Sequence, residues 1–187
     1  MSEKCVAPHG SWQSPITSDL VVAETIGLNE IRIDGGDVYW DEIRPAEGGR
    51  TVVVKRALDG KVTDITPRDL SGRTRVHEYG GGAWTVLDGT VYFSSWQDQR
   101  LYRQDPGQEP RPITPEGDLR YADGVLDQKR GCLICVREDH SLAGQEAANS
   151  LVALDLDGGR DVQVLVSDRD FYASPRLSPD ASRLAWL

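Results

Sequence analysis

The sequence predicts an all-β fold assembled from repeated four-stranded antiparallel units, and three observations predict it. Asp outnumbers Glu 20 to 10, and 19 Gly and 10 Pro stand among the 187 residues; Asp and Gly favour tight corners where Glu favours helix. A short apolar strand, an Asp/Gly/Ser-rich turn and a second apolar strand recur four times, at Ile31–Trp40, Trp84–Phe93, Gly124–Leu133 and Arg176–Trp186. After each of the first three comes a further strand pair, closed by Asp59-Gly60, Pro106-Gly107 or Asp157-Gly158-Gly159, which are hairpin turns in residue type and length.

Residues 1–30 read as a lead-in segment, with Met1 as a natural start and one weak helix candidate over Thr17–Ile26. The first unit covers about 31–66, where the hairpin turning at Asp34 is followed by strands Thr51–Leu58 and Lys61–Ile65. A second covers 79–114, turning at Asp88 and continuing through Arg100–Gln104 and Arg111–Ile113. The third covers 121–167, turning at Asp127 and continuing through Ser150–Leu156 and Val162–Val166, with a second weak helix candidate at Gln145–Asn149. The last, 174–187, turns at Ser178 and supplies two strands. Units of four antiparallel strands spaced roughly 40–55 residues apart are blades of a β-propeller. Propellers close with about four to eight blades, so three and a half blades predict an incomplete ring. Its uncovered sheet faces should drive self-association of the isolated chain.

Composition excludes several functions. A net charge of −9 and a pI near 4.8 argue against a nucleic-acid partner, which needs a basic face. No apolar run nears the ~20 residues of a membrane span, and the start carries no secretory signal, so a cytoplasmic protein without a membrane partner is expected. Three cysteines give no disulfide framework. Cys132 and Cys135 are three apart in a β-run, which sends the thiols to opposite faces and speaks against a shared metal. Asp155, Asp157, Gly159 and Asp161 mimic the start of a calcium loop, but its twelfth position is Val166 rather than Glu. His77-Glu78 lacks the second His of a zinc-peptidase helix, since Gly81 stands there, and Gly80–Gly82 lacks the Lys of a phosphate loop. Neither metal nor cofactor is expected. No G-x-S-x-G nucleophile elbow occurs, and His9, His77 and His140 have no evident serine partner.

The segment Arg75–Trp84, with His77-Glu78-Tyr79-Gly80-Gly81-Gly82 at its centre, resembles a stretch in the propeller of the prolyl oligopeptidase family of serine peptidases. It is most similar to the acylaminoacyl-peptidase and dipeptidyl-aminopeptidase branch. Gly35–Trp40, Arg44–Arg50 and Phe171–Asp180 support the likeness, which runs from about Ser14 to Leu187. The resemblance implies an amino-terminal propeller of seven or eight blades covering a carboxyl-terminal α/β-hydrolase domain, with the catalytic Ser, Asp and His in that second domain. This chain would then be the first half of the propeller, inactive alone, with the hydrolase domain, the remaining blades and a short peptide substrate as partners. The alternative is a non-catalytic propeller serving as a binding or scaffold module.

Three successive glycines at Gly80–Gly82 are costly in backbone entropy, so close approach or positive φ is expected there, at the mouth of an inner strand. In one reading the segment is structural, with His77 and Glu78 satisfying neighbouring backbone groups. In the other, Glu78 or Tyr79 touches a peptide or the hydrolase domain, a carboxylate receiving an α-amino group or an Arg. Glu138 and His140 open a long connection and read either as rim residues or as a substrate- or domain-facing loop. Arg73 and Arg75 read as solvated or interface charges, and Trp40, Trp84, Trp96 and Trp186 as core or inter-blade packing.

Overall fold

The computed structural model describes residues 6–11, 13–22 and 25–187; Cys5 and part of the first helix candidate lie outside them. After the short helix α1 (Ser18–Val22) the regular structure is β apart from one 3-10 turn at Pro45–Glu47. The first sheet holds β1 (Gly27–Asp34), β2 (Asp37–Arg44), β3 (Arg50–Arg56) and β4 (Val62–Asp64) in sequence order. The second holds β5 (Trp84–Leu87), β6 (Thr90–Ser94), β7 (Leu101–Gln104) and β8 (Arg111–Pro112). The third holds β9 (Leu119–Asp127), β10 (Cys132–Asp139), β11 (Ala148–Asp155) and β12 (Gln163–Val166). A two-stranded sheet, β13 (Arg176–Leu177) with β14 (Leu184–Ala185), completes the row. Every pairing is antiparallel, and the first strands of successive sheets lie side by side. The fold is therefore an incomplete β-propeller. Gln145–Asn149 is not helical: five residues cannot meet the nucleation cost of a helix without packing, and β11 begins inside them at Ala148.

Alternation along the strands gives each sheet two apolar faces, and neighbouring sheets bury them pairwise. Tyr39 and Val53 of the first sheet pack on Trp84, Val91 and Phe93 of the second. Tyr92 and Leu101 meet Tyr121, Leu133, Cys135 and Val152 of the third. Val136 and Leu151 pack with Val76, Ala122 and Tyr172 towards the last sheet. The free face of the first sheet leaves Leu28, Ile31 and Ile33 exposed. Cys135 is enclosed, and burial pushes its thiol up; Cys132 on the opposite face is only half-buried, so the two thiols do not share a site.

Polar latches repeat between sheets. A bulge in β1 presents Glu30, whose Oε1 accepts from Gly82 N at 2.6 Å. The corresponding bulge in β9 presents Asp123, whose Oδ2 accepts from Ser174 N at 3.1 Å. Each carboxylate thus ties the residues that lead into the next inner strand. Asp41, nearly fully buried, accepts from Asn29 Nδ2, Glu30 N and Trp84 Nε1 at 2.9–3.1 Å, joining the first two sheets at one point.

Candidate functional site

Between β4 and β5 the chain crosses one end of the sheets, and residues Arg75–Gly82 form a strap over it. The buried Val76 anchors this strap from below. Glu78 N donates to Arg75 O at 2.8 Å and Gly80 N to Val76 O at 3.0 Å, which coils the segment into a tight turn. His77 and Glu78 both have positive φ, 56° and 62°, a conformation costing about 1–2 kcal/mol for each L-residue. It persists because the strap is held from three sides: His77 N donates to Glu138 Oε1 at 2.7 Å, Gly82 N to Glu30, and Asp123 N to Gly82 O at 2.8 Å.

The three glycines divide the expected constraint among themselves. A Cβ on Gly80 would stand 2.8 Å from Thr74 O, and one on Gly82 would stand 2.8 Å from Asp123 N. Gly81 meets open space; its φ of 106° alone calls for glycine. Close approach belongs to the outer two residues, and the run precedes β5, which starts at Trp84, rather than forming its first turn of strand.

Five sequence-predicted residues, His77, Glu78, Tyr79, Glu138 and His140, converge at this end. Glu138, at the end of β10, is the hub, with its side chain 5% exposed. Its Oε1 receives His77 N, and its Oε2 lies 3.0 Å from His140 Nε2 and 3.9 Å from Arg120 Nη1. His77 Nε2 lies 3.1 Å from Tyr172 O, which can only accept, so Nε2 carries the proton. His77 Nδ1 is 3.3 Å from Glu138 Oε1 but out of line for a hydrogen bond, and it has no other partner. Glu78 projects into solvent, where Arg120 Nη1 donates to its Oε1 at 2.6 Å and holds its carboxyl below the usual range. The same guanidinium group donates to Arg75 O at 3.1 Å. The rings of Tyr79 and Phe171 lie 5.6 and 5.3 Å from that of His77, and both are largely exposed.

Arg120, Phe171 and Tyr172 complete the cluster and were not singled out from the sequence. Phe171-Tyr172 opens a stretch that carries the family resemblance, which is the one signal that points to it; Arg120 has none. Both Trp96 and Trp186 depart from the packing expectation. Trp96 is half-buried beneath the guanidinium groups of Arg73 and Arg75, and Trp186 is exposed. Among the described residues no serine or cysteine hydrogen-bonds to His77 or His140. The carboxylates are matched internally, Glu138 by the His77 amide and His140, Glu78 by Arg120. This arrangement offers shape and aromatic surface, with an ion pair that a ligand must open before it reaches Glu78.

The chain matches a Mycobacterium tuberculosis puromycin-hydrolysing peptidase at 39% identity and a TM-score of 0.83 over 98% of its length, spanning 31% of that protein. It matches a puromycin hydrolase at 36% identity and a TM-score of 0.85 over 96% of its length, again spanning 30% of the other chain. A component of a nidogen–laminin complex is similar at 20% identity with a TM-score of 0.56, a likeness of fold alone. No family model matches the chain, and no curated protein does.

Proposed function

The chain corresponds over nearly its whole length to the propeller portion of prolyl oligopeptidase-family peptidases, and from that premise we propose that it is the amino-terminal propeller fragment of a serine peptidase acting on short peptides. The observation that carries this reading is the likeness to two puromycin-hydrolysing proteins across almost every described residue. In this reading the acylaminoacyl-peptidase-like parent transfers the acyl group of a peptide to a serine and then to water, in a hydrolase domain that this chain does not contain. The propeller restricts access to short peptides and meets the hydrolase domain through the end bearing the His77 strap. Exposed Tyr79 and Phe171 favour that end as a contact surface, because exposed aromatic rings are over-represented where proteins meet ligands. The strained turn at His77 and Glu78 points the same way, since such conformations cluster at functional sites. A cytoplasmic location belongs to this proposal; no helix among the described residues is long and apolar enough to cross a membrane.

Two measurements test it. The intact protein should be labelled by a serine-directed fluorophosphonate probe, and a folded full-length preparation that takes up no label would overturn the peptidase reading. The 187-residue chain should hydrolyse no short peptide and should sediment as a self-associated species, because its first sheet and its last leave apolar faces open. A monodisperse monomer would count against the fragment.

A further inference from the structure

The chain is acidic overall, yet one depression and its edge carry three arginines, Arg68, Arg73 and Arg75, that make no ion pair among the described residues. It lies where the crossover after β4 meets the loop between β6 and β7, and has a volume of about 420 Å³. Arg50, Arg68, Ser71, Arg73, Trp96 and Gln97 line it. Arg75 follows Arg73 by two residues on the same exposed edge. Cζ of Arg73 lies 4.6 Å from the centroid of the Trp96 ring and Cζ of Arg75 lies 4.3 Å from it. Other cations of the molecule are paired, Arg44 with Asp64 and Glu42, Arg50 with Glu47 and Arg120 with Glu78; Arg56, Arg137, Arg176 and Arg183 are not, but none of these stacks on an indole as Arg73 and Arg75 do. Among the described residues no carboxylate comes within 4.0 Å of Arg68, Arg73 or Arg75. Glu47, which also borders the depression, is already taken by Arg50 and Arg44.

The backbone beneath these side chains is fixed. Gly72 bridges Ser95, Trp96 N donates to Ser71 O at 2.9 Å, and Arg75 N donates to Gln99 Oε1 at 2.7 Å. Indole contact removes rotamer freedom from two long side chains before any ligand arrives. A guanidinium resting on a ring keeps its N–H edge outward, and that planar fork matches a carboxylate with two parallel hydrogen bonds. These three cations form a local positive field on a chain of net charge −9, tempered by Asp64 near Arg68 and Glu78 near Arg75, while surface charges farther off than about 10 Å are screened at ordinary ionic strength. A long polyphosphate would run off the patch onto acidic surface, whereas a short run of acidic side chains would not.

From this geometry we infer that the depression beside Trp96 is a docking site for an acidic segment of a partner protein, its Asp or Glu carboxylates paired with Arg73 and Arg75 and steered by Arg68. The inference stands on the patch itself and does not require the peptidase reading. Its test uses the 187-residue chain and a fluorescein-labelled hexaglutamate peptide with an amidated carboxyl end, followed by fluorescence anisotropy at low and moderate salt. Saturable, salt-sensitive binding is expected, weakened about tenfold or more in Arg73→Ala/Arg75→Ala, where two charge-assisted contacts are gone. Arg73→Lys/Arg75→Lys should lose a smaller, several-fold share, because it keeps charge but not the fork. Arg169→Ala, which alters an exposed arginine elsewhere, should bind as the parent does. Thermal melting of each variant establishes that it is folded. Equal affinity of the double alanine variant and the parent would overturn the site. Tighter binding of an oligothymidylate than of hexaglutamate, or displacement of the peptide by sulfate at equal concentration, would overturn the acidic-protein assignment.

Discussion

The joint between the first and second sheets and the joint between the third sheet and the two-stranded last one answer the same need with unequal means. Both carry the polar latch, a bulge carboxylate accepting from the backbone of the following blade: Glu30 from Gly82 N in one, Asp123 from Ser174 N in the other. Only the first adds an apolar seal along the full strand length, Tyr39 and Val53 against Trp84, Val91 and Phe93, with Asp41 bonded across it. In the second, Tyr172 and Leu184 cover part of the third sheet. Beside them a groove of about 480 Å³ remains, lined by Ile134, Leu165, Leu177 and Leu184. The difference teaches that a latch forms with only two strands of the following blade in place, whereas the full apolar seal is found where one four-stranded sheet faces another.

The largest expected contrast lies in the apolar seal. Phe93→Ala should lose about 3–5 kcal/mol of unfolding free energy in urea titrations, and Leu184→Ala at the open joint about 1 kcal/mol or less. Equal losses would break the comparison. Next comes the strap that the first latch holds. Gly82→Ala adds a Cβ 2.8 Å from Asp123 N at a φ of 57°, while Gly81→Ala bears the backbone strain without a clash. The first should cost about 2–3 kcal/mol and the second about 1 kcal/mol, read as melting temperatures. The reverse order would show that the run is not held by close approach.

The latches themselves come third. Glu30→Gln and Asp123→Asn should each cost about 1 kcal/mol, and should speed amide hydrogen exchange at Gly82 and Ser174 respectively. Faster exchange at both amides in either variant would mean that the joints are not independent. The smallest effect concerns the turn of the last sheet. There the Ser178 hydroxyl, then the Ser182 amide and hydroxyl, push the Asp180 carboxyl down to about 2. Its folded value is below its unfolded one, about 3.9. Its contribution is therefore complete above about pH 4 and is lost as pH falls through 2. Asp180→Asn should flatten the acid dependence of stability in that window alone, measured as the difference in melting temperature between parent and variant. A difference that persists unchanged at pH 2 would remove the ion from the account.

The five site candidates were readable as residues but not as a site. His77 and Glu138 are 61 positions apart and meet only because β9 and β10 stand beside the strap. Their residue types say that a carboxylate exists, not that the backbone amide of His77 saturates it. Arg120 was invisible for the same reason: an arginine entering a strand has many destinations, and its choice of Glu78 and the Arg75 carbonyl depends on two distant segments. Trp96 was misplaced because size and apolarity favour burial without stating which partner covers the ring; here two guanidinium groups take that place.

Residue order alone carries the repeat. Turns at Asp34, Asp88, Asp127 and Ser178 and the alternating strands between them dictate four-stranded blades, because turn chemistry and pleat periodicity are local and act within a few residues. The unfinished count of blades follows from that same order. Tertiary structure decided which glycine is crowded, which carboxylate is spent on an internal partner, and which arginines are left without one. Those outcomes depend on packing between sheets and on charges brought together from segments far apart, and no local rule contains them.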